Sequence, residues 1–181
     1  IGLLSFLARV NYAYKDKYLI SLAARADGSS LFGPENKYGI FPSASIGWNV
    51  SEENFWKENI QFINKFKLRT SVGVTGNNNI ANYSFTNLLY PSNYSLGEGG
   101  GSVTSGLGET GDVLGNPGIG WEQTLEYDSG TDISFFDNRL NLSLDYYYSI
   151  TDKLLLQQNV SYITGHSQYF NNIGKIQNKG I

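Results

Sequence analysis

Residues 18–56, YLISLAARADGSSLFGPENKYGIFPSASIGWNVSEENFW, decide how the whole chain is read. From Tyr18 to Asp27 the residues alternate. Tyr18, Ile20, Leu22, Ala24 and Ala26 fall on one side, and Ser21, Ala23, Arg25 and Asp27 on the other. Successive side chains of a strand point to opposite faces, so the segment predicts a strand with one apolar face and one small or polar face. A loop rich in Gly, Ser, Pro and Asn follows from Gly28 to about Lys37. A second strand then sets Ile40, Pro42, Ala44, Ile46 and Trp48 against Ser43, Ser45, Gly47 and Asn49. Ser51, with Glu52 and Glu53 behind it, predicts the cap of a short helix.

The same two-residue period extends in both directions. Leu4 to Tyr14 predicts a first strand, with Lys15, Asp16 and Lys17 as a tight connection. Residues 50–65 link to a strand at 66–75, and further strands are predicted at 121–134, 139–149 and 170–181. Leu140, Leu142, Leu144, Tyr146 and Tyr148 face one way there, against Asn141, Ser143, Asp145, Tyr147 and Ser149. Residues 76–120 and 151–169 show no sustained period and predict long loops. The Gly-rich run at 97–108 predicts a mobile segment that packs no core.

Alternation alone also fits a soluble sandwich. Three features favour a membrane barrel. The strands run longer than the usual five or six residues of soluble sheets, near the 9–11 that a tilted membrane strand needs. Connections alternate between short and long, which puts short turns at one end and long loops at the other. Aromatic residues Tyr12, Tyr14, Tyr18, Trp48, Phe62, Phe66, Phe135 and Phe136 gather at the short-turn end, as an interfacial girdle would. The soluble alternative assigns those rings to closing the ends of a sandwich core.

Composition excludes several classes. The net charge is -3, with no clustered basic face for nucleic acid. The chain has no Cys, so neither disulfides nor thiolate metal sites can form. No apolar run is long enough for a spanning helix. His166 is the only His, beside Gly165 and Ser167, and supports no catalytic triad. Asp27-Gly28-Ser29 lacks the further carboxylates of a calcium loop. The Gly-rich run does not join a strand to a helix, so it is no phosphate cradle. Asn-x-Ser triplets at Asn82, Asn93 and Asn159 are expected in a chain of this composition. No catalytic residue, cofactor or metal ligand is predicted, and the chain reads as something other than an enzyme.

Two residue sets remain as candidates. Arg9, Arg25, Asp27, Arg69, Glu122, Glu126, Asp128 and Asp145 share the face opposite the apolar stripes. So many charges cannot face lipid, so they predict a polar wall toward a water-filled lumen. Asn77, Asn78, Asn82, Tyr83, Phe85, Tyr90 and Tyr94 combine amides with flat rings, a mixture suited to sugars or peptide backbones. Each set also has a plain structural reading, as bracing of the wall or closure of a loop.

Many residues recur in one order along the chain: Arg25, Asp27-Gly28-Ser29-Ser30, Phe32-Gly33, Asn36, Gly39, Phe41-Pro42-Ser43, Ser45, Gly47-Trp48 and Ser51-Glu52-Glu53. Downstream come Lys67-Leu68-Arg69, Thr75-Gly76-Asn77-Asn78-Asn79-Ile80, Asn116-Pro117, Trp121-Glu122-Gln123-Thr124 and Asn138-Arg139-Leu140. Asp145-Tyr146-Tyr147, Thr151-Asp152-Lys153-Leu154-Leu155, Asn172-Ile173-Gly174 and Asn178-Lys179-Gly180 complete the series. In these the chain resembles the SusC/RagA-type TonB-linked outer-membrane nutrient transporters. The resemblance implies an all-β fold: about seven strands of an up-and-down transmembrane barrel of about 22 strands. It also implies an internal fragment of the C-terminal half, with the plug domain and the other strands outside residues 1–181, and a long extracellular loop at about 76–120. The implied function is active import of oligosaccharides or peptides across the outer membrane of a Gram-negative bacterium. The implied partners are a SusD-like surface lipoprotein, outer-membrane lipid and, through an N-terminal region, the TonB–ExbB–ExbD complex. Rival readings are a siderophore or cobalamin receptor of the same architecture, and a secreted adhesive β-domain. A lone arc of strands has two open edges and an exposed apolar face, which predicts aggregation in water.

Overall fold

A computed structural model describes residues 2–60, 62–95, 103–109 and 113–181. Seven strands form one antiparallel sheet: β1 (Leu3–Tyr14), β2 (Tyr18–Ser29), β3 (Tyr38–Asn49), β4 (Ile63–Asn77), then β8 (Glu122–Phe135), β9 (Leu140–Asp152) and β12 (Lys175–Gly180). Two shorter strands, β5 (Leu89–Ser95) and β6 (Val103–Glu109), make a separate hairpin. A small sheet holds β7 (Val113–Leu114), β10 (Leu155–Asn159) and β11 (Gln168–Asn172). No helix of the described residues is long and apolar enough to cross a membrane.

Register carries the alternation across the sheet. Val10 lies opposite Leu22, Leu22 opposite Ala44, Ala44 opposite Val72, Val72 opposite Tyr127, and Tyr127 opposite Tyr148. One face is therefore apolar from edge to edge, and it is open: Phe6, Val10, Leu22, Ile40, Ile46, Leu142 and Leu144 are all exposed. A water-soluble sheet would cover such a face. Twelve residues at about 3.3 Å each, tilted about 40°, reach roughly 30 Å, the height of a bilayer core.

The short connections 15–17, 50–62 and 136–139 lie at one end, and the long ones 30–37, 78–121 and 153–174 at the other. At the short-turn end the predicted rings pair. Tyr18 stacks near Trp48 with centroids 6.4 Å apart, Trp56 stacks on Phe66 at 5.0 Å, and Phe135 meets Phe136 at 6.3 Å.

The structure departs from expectation in several places. Ser51 is not a helix cap: Val50–Glu52 is a 3-10 turn, and the helix α1 (Asn54–Asn59) begins after Glu53 without a side-chain cap bond. The Glu53 carboxylate instead binds Lys17 Nζ at 2.9 Å, Tyr18 Oη at 2.8 Å and Trp48 Nε1 at 3.3 Å. That cluster ties the 50–62 segment to the first turn. The stretches read as loops contain β5, β6, β7, β10 and β11, whose Gly-, Ser- and Asn-rich sequences hide any two-residue period. The strand expected over 170–181 divides into β11 and β12 on either side of Gly174, which has φ +86°. Of the Gly-rich run, residues 103–109 form β6, and 97–102 lie outside the described residues.

Candidate functional site

The polar face of the sheet and the long-loop end above it form one continuous surface. Register puts Arg9, Arg25, Asp27, Arg69, Glu122, Glu126, Asp128 and Asp145 all on this face. Its centre is lined by small residues on three neighbouring strands: Ser21 and Ala23, Ser43 and Ser45, Ser71 and Gly73. Their short side chains leave two adjoining hollows of about 450 and 440 Å³, which share Ser21, Ser45 and Ser71.

Beside these hollows Arg69 joins three carboxylates from two other strands. Its guanidinium lies 2.5 Å from Asp145 Oδ1, 3.4 Å from Asp132 Oδ2 and 3.6 Å from Asp128 Oδ1. Ser143 Oγ donates to Asp132 Oδ1 at 2.8 Å. Gly130 makes the knot possible. It sits opposite both Arg69 and Asp145, and a Cβ there would run into the Asp145 carboxylate and come within 3.0 Å of Arg69 Cζ. One cation shared by three anions leaves this patch negative. It braces β4 against β8 and β9.

Toward the long-loop end Arg25 Nε holds Asp27 Oδ2 at 2.7 Å, and Asp27 is buried. Above them Phe32, Phe41, Ile119 and Trp121 form a core, with Val74, Ile80, Phe85, Leu155 and Phe170 packed around it. Phe41 meets Trp121 edge-on at 5.4 Å. Its ring occupies the space that Gly39 and Gly76 leave by lacking side chains. The β3–β4 ladder ends at Ser43 and Gly73, next to Pro42, which has no N–H to donate. Beyond that point the strands are held by this cluster and not by ladder bonds.

Asparagines fasten the three long connections to each other. Asn116 Nδ2 donates to Phe170 O and Asn36 Nδ2 to Gly118 O, both at 2.8 Å. Asn172 Oδ1 accepts from Gly120 N at 2.7 Å, while its Nδ2 donates to Gly120 O and Lys153 O. Glu122 bridges strands: Oε1 accepts from Asn77 Nδ2 at 3.0 Å and Oε2 from Leu155 N at 3.0 Å.

The amide-and-ring set divides on this geometry. Asn77 is engaged with Glu122, Asn78 donates to Ser29 Oγ at 3.1 Å, and Phe85 packs on the core. Asn82 and Tyr83 border a hollow of about 170 Å³ with Ser30 and Leu31, and Tyr83 stays exposed with φ +63°. Tyr90 and Tyr94 lie in β5, but their side chains fall outside the described residues. The Arg69 knot was not legible in advance as a unit, because it depends on which residues of three strands stand level. Among the described residues no group of His, Cys, Asp and Glu could hold a metal ion.

Comparison with known proteins gives this surface its context. Residues 4–181 match the family model described as TonB dependent receptor-like, beta-barrel. The chain is 40% identical over 179 residues to TonB-dependent receptor P26 of Formosa agariphila, covering 97% of this chain and 17% of that protein. It is 32% identical to TonB-dependent receptor SusC of Bacteroides thetaiotaomicron, over 99% of this chain and 18% of the relative. Among solved structures, the RagAB peptide importer in its closed-closed state superimposes with a TM-score of 0.84 at 29% identity, over 98% of this chain and 18% of that one. Its open-open state gives 0.83 at 27% identity. The chain thus spans about a sixth of the length of these relatives. It belongs to the TonB-dependent receptor β-barrel family.

Proposed function

We propose that this chain is a section of the wall of an outer-membrane importer, not an enzyme. The whole protein takes up oligosaccharides or peptides under TonB–ExbB–ExbD drive, with a SusD-like surface lipoprotein at its mouth. The observation that carries this reading is a sheet apolar and open on one face, polar on the other, that superimposes on the RagAB peptide importer. Likeness to SusC widens the substrate class to oligosaccharides. In this reading the apolar face meets lipid, and the eight charged positions face a water-filled lumen. The serine- and glycine-lined hollows give the passing substrate or the plug a smooth wall. The asparagine-tied connections form the extracellular rim.

The test uses the full-length parent. Its gene is deleted in the native host, and uptake of labelled oligopeptides and oligosaccharides is followed with and without complementation. Membranes are also solubilised and the tagged parent isolated. The reading expects loss of uptake of at least one polymer class, and recovery of a surface lipoprotein in stoichiometric amount. Unchanged uptake of both, with no lipoprotein recovered, would overturn it.

A further inference from the structure

One part of the outward face is not apolar. Register sets Lys175, Gln177 and Lys179 on the same face as Ile150 and Tyr148, opposite Asp152, Ile150 and Tyr148 in turn. In the same row as Lys175 and Asp152 stands Gln123. These positions lie at the long-loop end of the strands. A lysine deep in lipid costs about 2–4 kcal/mol, but near the interface almost nothing, because its stem stays in the apolar layer while the ammonium reaches the headgroups. Lys153, Lys175 and Lys179 form no ion pair among the described residues. They stand as three unneutralised cations at one rim.

A cavity of about 400 Å³ adjoins this row, within the size range of ligand sites. Tyr38, Gln123 and Lys153 line it, and the Tyr38 hydroxyl, the Gln123 amide and the Lys153 ammonium have no partner among the described residues. Tyr38 and Gln123 both belong to the outward face, Tyr38 lying across Gly28. Asn36 and Asn172, whose amides bond Gly118 and Gly120, hold the cavity's walls. Below it Tyr127 and Tyr148 stand side by side, amphipathic rings at the edge of the apolar band.

We propose that this rim is a binding site for the phosphorylated sugar headgroup of an outer-leaflet glycolipid. Hydroxyl and amide groups in the cavity suit a sugar. Lys153, Lys175 and Lys179 suit its phosphates, and the apolar face directly below takes the acyl chains. Continuity with that face selects a membrane lipid over a soluble anion. The inference rests on the outer-membrane reading of the chain.

The full-length parent, purified in mild detergent, is titrated with a diphosphorylated glucosamine-disaccharide lipid and with its dephosphorylated form, and bound lipid is counted by native mass spectrometry. Wild type should retain the phosphorylated lipid and prefer it in titration. Lys153→Gln, Lys175→Gln and Lys179→Gln together should lower its affinity roughly a hundredfold, about fivefold per lysine. Tyr38→Phe with Gln123→Leu should weaken both lipid forms alike. Heat-dependent gel mobility checks that each variant is a folded barrel. Equal binding of the two forms by wild type, or unchanged binding by the triple lysine variant, overturns the proposal. So does a triple variant that keeps its lipid but loses self-association, since the lysines would then face protein. A parent absent from the outer membrane would instead overturn the functional reading beneath it.

Discussion

Removing the Arg69 side chain as Arg69→Gln strands Asp128, Asp132 and Asp145 within one patch of wall. Its three ion pairs, at 2.5, 3.4 and 3.6 Å, sit between the limits of surface and interior, with 36% of the Arg69 side chain exposed. An exposed pair contributes about 0.2–1 kcal/mol, whereas breaking a buried one costs about 3–5 kcal/mol. Screening at this exposure discounts the upper figure by roughly half, so a loss of about 2 kcal/mol is expected. Asp145→Asn alone leaves Arg69 two carboxylates and should cost less, under about 1 kcal/mol. Combined with Arg69→Gln it should restore about 1 kcal/mol, because one of the stranded charges is gone. Urea unfolding of the full-length parent in detergent, read as the folded fraction on a cold gel, measures all three. An Arg69→Gln variant within about 0.5 kcal/mol of wild type would refute the reasoning. So would a double variant no better than the single, since electrostatic relief requires coupling.

Further outcomes follow from the same geometry. Gly76→Val places a side chain where the Phe41 ring sits, and Phe41→Ala empties that place at a cost of about 3–5 kcal/mol. Either should make the 78–121 and 153–174 connections cleavable by protease while the strands stay protected. Leu144→Arg puts a charge on the outward face and should cost about 2–4 kcal/mol, whereas Ser149→Arg on the polar face should cost little. Glu53 titrates below the ordinary carboxylate range because Lys17 and then Tyr18 donate to its charged form, against some desolvation. Its folded pKa lies below the unfolded one, so its contribution is full above the unfolded value and fades as pH falls through the folded one. Acid should therefore loosen the short-turn end, seen as faster amide exchange around residues 15–18, and Glu53→Gln should abolish that dependence.

The long strands were legible because each repeats a two-residue period for ten or more positions, as Leu140 to Ser149 does without a break. Loop asymmetry and strand-end rings then placed the two ends. The hairpins within 76–120 and 151–169 were not legible: short strands such as VTSGLGE at 103–109 carry too few apolar residues to show a period. Ser51 misled because the Glu53 carboxylate found stronger partners in Lys17 and Tyr18 across the turn than in the helix start. Asparagines 77 and 78 looked like sugar ligands, since an unpaired amide and one already bonded to Glu122 or Ser29 read identically in sequence. The charged wall was visible residue by residue. Its organisation around Arg69 was not, because level positions on β4, β8 and β9 are fixed by register.

The central claim is that alternate residues of these strands meet lipid and water. The chain has no cysteine of its own, so a single-cysteine scan along β9 of the full-length parent, with any others replaced, tests it directly. Each variant is reacted in intact outer membranes with a water-soluble maleimide and with a lipid-soluble one. Positions 142, 144, 146, 148 and 150 should react with the lipid-soluble reagent, and 143, 145, 147 and 149 with the water-soluble one. Water-soluble labelling at both sets alike, with no two-residue period, would contradict a membrane-spanning wall.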